Sequence, residues 1–171
     1  MDYMFKVGKL KINGGYMSVI DPGYDSDTSG WLVRNIPIKE GIYDLFIEEY
    51  DNPDYQVVTS AEIRISGLKV TEDDWEEIGE MSVDSGMASF FQNKPDFDDI
   101  TWGKIVSAMF SDEAMDELVK SKDYPDVYTY VDEDNDIAGF IVPAGLGDGM
   151  YPVYGVKKGK KYVALAVQFM D

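Results

Sequence analysis

Apolar and polar residues alternate along much of the chain with the two-residue period of a β-strand. In residues 42–50 the alternation places Tyr43, Leu45 and Ile47 on one face. In the next run one face carries Val57, Thr59, Ala61, Ile63 and Ile65, and the other carries Val58, Ser60, Glu62 and Arg64. Since the sequence Asn-Pro-Asp at 52–54 favours a turn, we expect residues 42–50 and 55–66 to form an antiparallel hairpin.

Strand patterns also lie near both ends of the chain. The stretch GGYMSVIDPG, residues 14–23, indicates one such strand, which ends at the turn Asp21-Pro22-Gly23. Residues 151–156 and 161–169 flank a lysine-rich turn, and the segment 127–142 predicts another hairpin with the acidic tip 132–136. Many closely spaced strands are typical of an antiparallel β-sandwich or open barrel.

Helical periodicity is confined to residues 99–120. There the spacing i, i+3, i+4, i+7 relates Trp102, Ile105, Val106 and Met109. Ser111 is placed to cap a second short helix with Met115, Leu118 and Val119 facing inward. Residues 71–80 fit either a helical turn or a loop. We therefore predict a mainly β (α+β) fold, with a one- or two-helix insertion near residues 99–120, in a single domain spanning residues 1–171.

The chain contains neither histidine nor cysteine. This composition excludes Ser-His-Asp and Cys-His catalysis, zinc-thiolate sites and disulfides. No apolar run is long enough to span a bilayer, and residues 1–15 lack the pattern of a secretory signal. We expect a cytoplasmic protein with no cofactor, in which any catalysis would depend on carboxylates, Lys, Tyr, Ser or an oxygen-bound cation.

The formal net charge is −18, and it is unevenly distributed. Residues 51–140 contain 6 basic and 23 acidic residues, a net charge of −17, whereas residues 141–171 contain 4 and 2, a net charge of +2. Such a field repels nucleic acid and anionic membranes and attracts a basic protein. Solubility alone is the competing explanation. The acidic residues that we expect on a binding face are Glu76, Glu77, Asp96, Asp98, Asp99, Asp112, Glu113, Asp116 and Glu117.

Tyrosines accompany the acidic middle and the last predicted hairpin. They are Tyr124, Tyr128, Tyr130, Tyr151 and Tyr154. Tyrosine is enriched at protein interfaces, but it is also an ordinary strand residue. We favour the strand interpretation.

The sequence Gly-Leu-Gly-Asp-Gly at 145–149 allows three interpretations. It could form a phosphate-binding nest, but neither a P-loop lysine nor a following helix is present. It could present Asp148 as a catalytic carboxylate, paired with Asp84 or Asp21. It could also be structural, with glycines that supply positive φ angles and Asp148 capping the turn. We favour the structural interpretation.

Two acidic loops each match half of a calcium-binding loop. Asp25 and Asp27 occupy positions 1 and 3 of an EF-hand pattern, which lacks its final glutamate. Asp132, Asp134 and Asp136 have the same spacing, but the invariant glycine is missing. Neither loop is an EF-hand, and the two sets are weak metal candidates.

Three ordered stretches together resemble the bacterial family called domain of unknown function 4241. They are GKLKINGGYMSVIDPG with IPIKEGIYDLFIEEYD, then WEEIGEMSVDSGMASFF, then AGFIVPAGLGDGMYPVYGVKKGKKYVALAVQF, and they span residues 8–169. The resemblance implies that the family's signature positions are Asp21, Asp84, Gly86, Gly147, Asp148, Gly149 and Tyr151. The chain departs from the family at Gln92 and Gln168, where the family usually has acidic residues.

These observations lead to three hypotheses. The first is a small acidic protein-binding module, such as an inhibitor or immunity-type protein, that docks on a basic partner. The alternative is a hydrolase that uses Asp21, Asp84 and Asp148, with Tyr151 as an auxiliary hydrogen-bond donor. The third is an accessory domain that self-associates through exposed strands. We favour the non-enzymatic module because carboxylates are missing at Gln92 and Gln168. The sequence leaves the oligomeric state open.

Overall fold

The computed structural model describes residues 2–13, 15–21, 33–52, 55–84, 86–93, 119–120, 127–132 and 137–170. These residues form two antiparallel sheets of six strands each. The strands are β1 (Asp2–Ile12), β2 (Tyr16–Ile20), β3 (Val33–Pro37), β4 (Gly41–Asn52), β5 (Tyr55–Ile65), β6 (Glu76–Val83), β7 (Met87–Asn93), β8 (Val119–Lys120), β9 (Tyr128–Asp132), β10 (Ile137–Pro143), β11 (Gly149–Lys158) and β12 (Lys161–Gln168). The first sheet has the order β1-β4-β5-β12-β11-β6, and the second has the order β3-β2-β7-β10-β9-β8.

Three hairpins predicted from alternation are confirmed. β4 pairs with β5, β9 with β10, and β11 with β12, all antiparallel. The β11–β12 turn contains Gly159, whose φ of 67° is in the region that favours glycine. Local alternation and turn residues therefore predict these pairings well.

Both sheets contribute to one apolar core. The first sheet supplies Leu45, Ile63 and Leu165, and the second supplies Phe90 and Phe140; all five are fully buried. The rings of Phe90 and Phe140 are stacked, with centroids 6.0 Å apart. Because the apolar face of each sheet is buried in this shared core, the predicted mainly β fold with antiparallel sheets is confirmed.

A β-bulge interrupts the predicted alternation of β5. Glu48 pairs with Ser60, but Glu49 pairs with Val58, so Thr59 is the extra residue. As a result, Val58 joins the main core together with Ala61 and Ile63, although the pattern predicts it on the polar face. A bulge reverses the orientation of the side chains on one side of it. The predicted orientation was therefore wrong for Val58.

The predicted helical insertion is not seen among the described residues. Residues 99–118 lie outside the described part of the chain. Val119, predicted to face inward from the second helix, instead forms strand β8 with Lys120 and pairs with Thr129 of β9. Valine is β-branched, which lowers its helix propensity and favours a strand. The weak helical periodicity therefore does not determine the structure at this end of the segment.

The segment between β5 and β6 packs on the outer face of the first sheet. It contains the 3₁₀ turn Glu72–Asp74, which follows Thr71 and is fixed by hydrogen bonds from Thr71 N and Oγ1 to Asp74 Oδ2, 2.7 and 3.2 Å long. Leu68, Val70 and Trp75 pack against a small second core. Its buried members are Val156, Val163 and Ala164. Of the two alternatives for residues 71–80, the structure thus has a helical turn, followed by a strand.

Within the described residues, no helix is both long enough and apolar enough to cross a membrane.

Candidate functional site

Asp21 connects the two sheets through its carboxylate. The residue follows β2 and is fully buried. Its Oδ2 accepts a hydrogen bond of 2.6 Å from the backbone N–H of Asp84, which follows β6. The side chain of Asp84 itself is exposed. The structure therefore gives Asp21 a role in fixing the β6–β7 connection to the second sheet.

Asp84 and Asp148 lie at the same end of the first sheet. Val83 pairs with Gly149, and the next positions along the two strands are Asp84 and Asp148. The three candidate catalytic aspartates are thus near one another in the backbone. Their carboxylates have different environments, because Asp21 is buried whereas Asp84 and Asp148 are exposed.

The turn at residues 144–149 is closed by backbone bonds and by Tyr151. Gly145 and Gly147 have φ angles of 54° and 116°, as the structural interpretation predicts. Gly147 N donates to Ala144 O at 2.7 Å, and Tyr151 Oη donates to Gly147 O at 2.5 Å. The side chain of Asp148 has no hydrogen bond within the described residues. The prediction that Asp148 caps this turn was therefore wrong, since Tyr151 closes it instead.

Tyr151 is held on its other side by an aromatic contact. Its ring lies edge-on to Phe169, with centroids 5.2 Å apart. Burial raises the pKa of Tyr151, and the negative charge of Asp148 raises it further. A tyrosine with a raised pKa and a hydrogen bond to a main-chain carbonyl stays protonated as a structural donor.

Gln92 and Gln168 use their amides where the family resemblance implies carboxylates. Gln92 is 1% exposed; its Oε1 accepts from Asn13 N at 2.7 Å, and its Nε2 donates to Asn13 Oδ1 at 2.9 Å. Gln168 Nε2 donates to Met170 O at 2.9 Å. Each glutamine uses an N–H donor that an ionised carboxylate lacks.

The metal candidates are mostly outside the described residues. Asp25, Asp27, Asp134 and Asp136 are not described, and Asp132 ends strand β9. Within the described residues, no three acidic side chains are grouped closely enough to hold a metal ion.

Acidic side chains follow one another along an edge of the first sheet. β6 is the last strand in the order of that sheet, and the segment before it contains the 3₁₀ turn. Exposed residues here are Glu72, Asp73, Asp74, Glu76, Glu77 and Glu80, which we call the acidic edge. The sequence has no lysine or arginine between Lys69 and Lys94. The segment that forms the acidic edge therefore contributes no positive charge of its own; the neighbouring strand β11 contributes Lys157, which lies over the ring of Tyr162, 5.1 Å from its centroid.

The acidic edge contains two of the predicted binding residues. Glu76 and Glu77 are exposed on β6, and Glu76 Oε1 accepts a hydrogen bond of 3.1 Å from Tyr162 Oη. The remaining predicted binding residues lie outside the described part of the chain: Asp96, Asp98, Asp99, Asp112, Glu113, Asp116 and Glu117.

A cavity of about 430 Å³ opens on the outer face of the first sheet. We call it the outer-face cavity. Its floor is low because Ala166 lies between Glu62 and Tyr154 in the strand register, and Ser60 lies between Glu48 and Gln168. Small side chains between large ones leave a depression in a sheet surface. The segment 70–75 forms a wall with Val70, Thr71, Glu72 and Trp75.

Three glutamates and one arginine line the outer-face cavity: Glu48, Glu62, Glu72 and Arg64. Arg64 Nη2 lies 2.6 Å from Glu62 Oε2, and the two side chains are 21% and 7% exposed. The two groups form an ion pair, and the Arg64 guanidinium also lies over the ring of Phe46, 5.3 Å from its centroid. Arg64 Nε is closed to solvent and has no hydrogen-bond partner within the described residues. Burial raises the pKa of Glu62, although the charge of Arg64 opposes the rise.

The strand patterns and motifs of the sequence do not predict this cavity. Its polar residues are on β4, β5, β11, β12 and the segment 70–75, so no local motif contains them. One signal was present: Glu62 and Arg64 alternate with apolar residues on the same strand, which places two opposite charges on one sheet face.

A scan of the chain against family models, curated proteins and solved structures found no match. The resemblance to domain of unknown function 4241 accordingly stays a prediction.

Proposed function

We propose that this chain is a small acidic β-sandwich module that docks on a basic protein through the acidic edge. The observation that supports the proposal is the exposure of six acidic side chains in residues 72–80, on an edge strand and the turn that precedes it. Complementary charge at an interface accelerates association and selects against partners of the wrong sign.

Charges on an edge strand have a second established use, because they discourage pairing with the edge of another sheet. The bulge at Ile78, where Val153 pairs with Gly79 and Tyr154 pairs with Glu77, serves the same purpose. The two explanations differ in their consequences. Protection of the edge predicts self-association when the charges are removed, whereas docking predicts loss of a basic partner.

The test uses two triple variants with equal changes in charge. The edge variant is Asp73→Asn, Glu77→Gln and Glu80→Gln, which avoids Asp74 and Glu76 because their carboxylates accept hydrogen bonds. The control variant neutralises the exposed residues Glu40, Asp84 and Asp148. None of the six side chains has a hydrogen bond or ion pair within the described residues.

Each protein is immobilised and exposed to lysate of the cells that encode it, at low and at high salt. The proposal predicts that wild type and control variant retain the same basic protein, that salt releases it, and that the edge variant does not retain it. Retention by all three proteins would contradict the proposal. Light scattering on the edge variant detects the self-association that edge protection predicts.

The hydrolase alternative has no supporting observation comparable to the acidic edge. Asp21 directs Oδ2 at the main chain of Asp84, and the side chain of Asp148 is exposed. We therefore propose the binding module alone.

A further inference from the structure

The outer-face cavity adjoins the acidic edge. Glu72 belongs to both, because it is one of the exposed acidic residues before β6 and also lines the cavity. On the floor of the cavity, Ala166 pairs with Tyr154 of β11, and Tyr154 pairs in turn with Glu77 of the acidic edge. A protein that docks on the acidic edge is therefore placed to insert a side chain into the cavity.

The charge that the cavity offers to such a side chain is negative. Of its four charged residues, Glu62 and Arg64 pair with each other at 2.6 Å. The other two are Glu48, which is half-buried, and Glu72, which is exposed. Neither of them has an ion pair within the described residues. Two carboxylates thus remain without a cation of their own.

Aromatic side chains line the same space. Trp75 belongs to the wall and Tyr154 to the floor, and both are partly exposed. The face of an aromatic ring attracts a cation, and most strongly when the cation leaves water. The volume of about 430 Å³ lies within the roughly 300–1,000 Å³ of sites that hold small molecules. The space, its charge and its aromatic lining together fit a long cationic side chain.

Arginine fits this lining better than lysine does. A guanidinium is planar and weakly hydrated, it stacks on aromatic rings, and it pairs with two carboxylate oxygens at once. An ammonium is a compact, strongly hydrated charge that has no plane to stack. Arginine is also enriched among the residues that contribute most to protein interfaces, where it occupies pockets on the partner.

We propose that the outer-face cavity receives an arginine side chain of the basic partner, with the guanidinium facing the carboxylates of Glu48 and Glu72 and packed against Trp75 or Tyr154. This inference rests on the proposed docking function and specifies it. The acidic edge attracts any basic surface, whereas the cavity selects one side chain of that surface.

The experiment titrates isotope-labelled protein with the peptide acetyl-Gly-Arg-Gly-amide at low salt and records amide chemical shifts. Two matched peptides replace the arginine with lysine or with citrulline, which has a similar shape but no charge. We expect the arginine peptide to shift the amides of β5, β12 and the segment 70–75. The lysine peptide should bind about threefold more weakly, and the citrulline peptide should leave the spectrum unchanged.

Variants locate the site. Ala166→Leu fills the floor without changing a charge, and it should abolish the shifts. Glu48→Gln and Glu72→Gln should each weaken binding about threefold, as expected for the loss of a partly exposed ion pair. Glu80→Gln is the control, because it makes the same charge change on the acidic edge but outside the cavity, and it should bind as wild type does. The spectra of the free variants report whether each one is folded.

Four results would each overturn the proposal: no response to the arginine peptide, an equal response to the lysine peptide, an equal response to the citrulline peptide, or shifts that persist in Ala166→Leu. All four leave the proposed docking function standing, because none of them depends on the captured partner. The docking function fails instead if the edge variant retains that partner as wild type does, and the edge variant changes no residue that lines the cavity.

Discussion

Replacing Asp21 tests whether its carboxylate joins the two sheets. The side chain is fully buried and accepts the N–H of Asp84 at 2.6 Å. A hydrogen bond to a charged group contributes about 1.5–3 kcal/mol, and its loss leaves a polar group without a partner. We expect Asp21→Ala to lower the free energy of unfolding by about 1.5–3 kcal/mol. We expect Asp21→Asn to lower it less, by about 1 kcal/mol, because the amide oxygen still accepts.

Urea denaturation measures these differences. With an m-value of about 2 kcal/mol/M, a loss of about 2 kcal/mol moves the midpoint by about 1 M. The matched control is Asp148→Ala, which removes an exposed carboxylate near the same end of the first sheet. Surface changes of this kind usually alter stability by less than about 0.5 kcal/mol.

Equal midpoints for Asp21→Ala and Asp148→Ala would refute the structural role of Asp21. The same result would restore Asp21 as a candidate catalytic residue, since a structural role would then no longer explain its burial.

Three further changes test other contacts. Gln92→Glu replaces the donor to Asn13 Oδ1 with a buried carboxylate, and should lower the free energy of unfolding by about 1–3 kcal/mol in urea. Gly155→Ala places a Cβ 2.5 Å from ring carbons of Tyr162, and should destabilise by about 1–3 kcal/mol in the same assay. Burial raises the pKa of Tyr43 above its usual 10.0. The protonated side chain therefore contributes its full stabilisation below pH 10, and this stabilisation is lost as the pH rises toward the pKa of the folded state. Tyr43→Phe should flatten this alkaline decline in stability.

Each of these changes has its own control or contrary result. Gln168→Glu changes the same chemical group at a partly exposed position, so equal losses at Gln92 and Gln168 would contradict the role of burial. Gly8→Ala meets Leu45 at an ordinary 3.7 Å, and it should be tolerated where Gly155→Ala is not. For Tyr43, equal alkaline slopes in wild type and variant would show that another group causes the decline.

Strand pairing was predictable where one strand follows another through a short turn. The β4–β5 and β11–β12 hairpins follow from alternation and from turn residues that are local in the sequence. The bulge at Thr59 was not predictable, because Val57 and Val58 are adjacent and equally apolar, and only the partner strand decides which of them enters the core.

The candidate sites also include features that the local sequence predicts and features that depend on residues far away in the sequence. The exposure of Glu76 and Glu77 agrees with their charge and their position in an acidic run. The burial of Gln92 and Asp21 depends on Asn13 and Asp84, which are 79 and 63 residues away in the sequence. The outer-face cavity depends on how small Ala166 is relative to its neighbours across three strands. Such relations exist only after the sheet has formed.

The most direct test of the central claim is the rate at which the captured basic protein associates with wild type, edge variant and control variant, over a series of salt concentrations. Docking on the acidic edge predicts fast, strongly salt-dependent association for wild type and control variant. It also predicts slower association with weaker salt dependence for Asp73→Asn, Glu77→Gln, Glu80→Gln. The same rate and salt dependence in all three proteins would contradict it, and the acidic edge would then be explained by protection of a sheet edge.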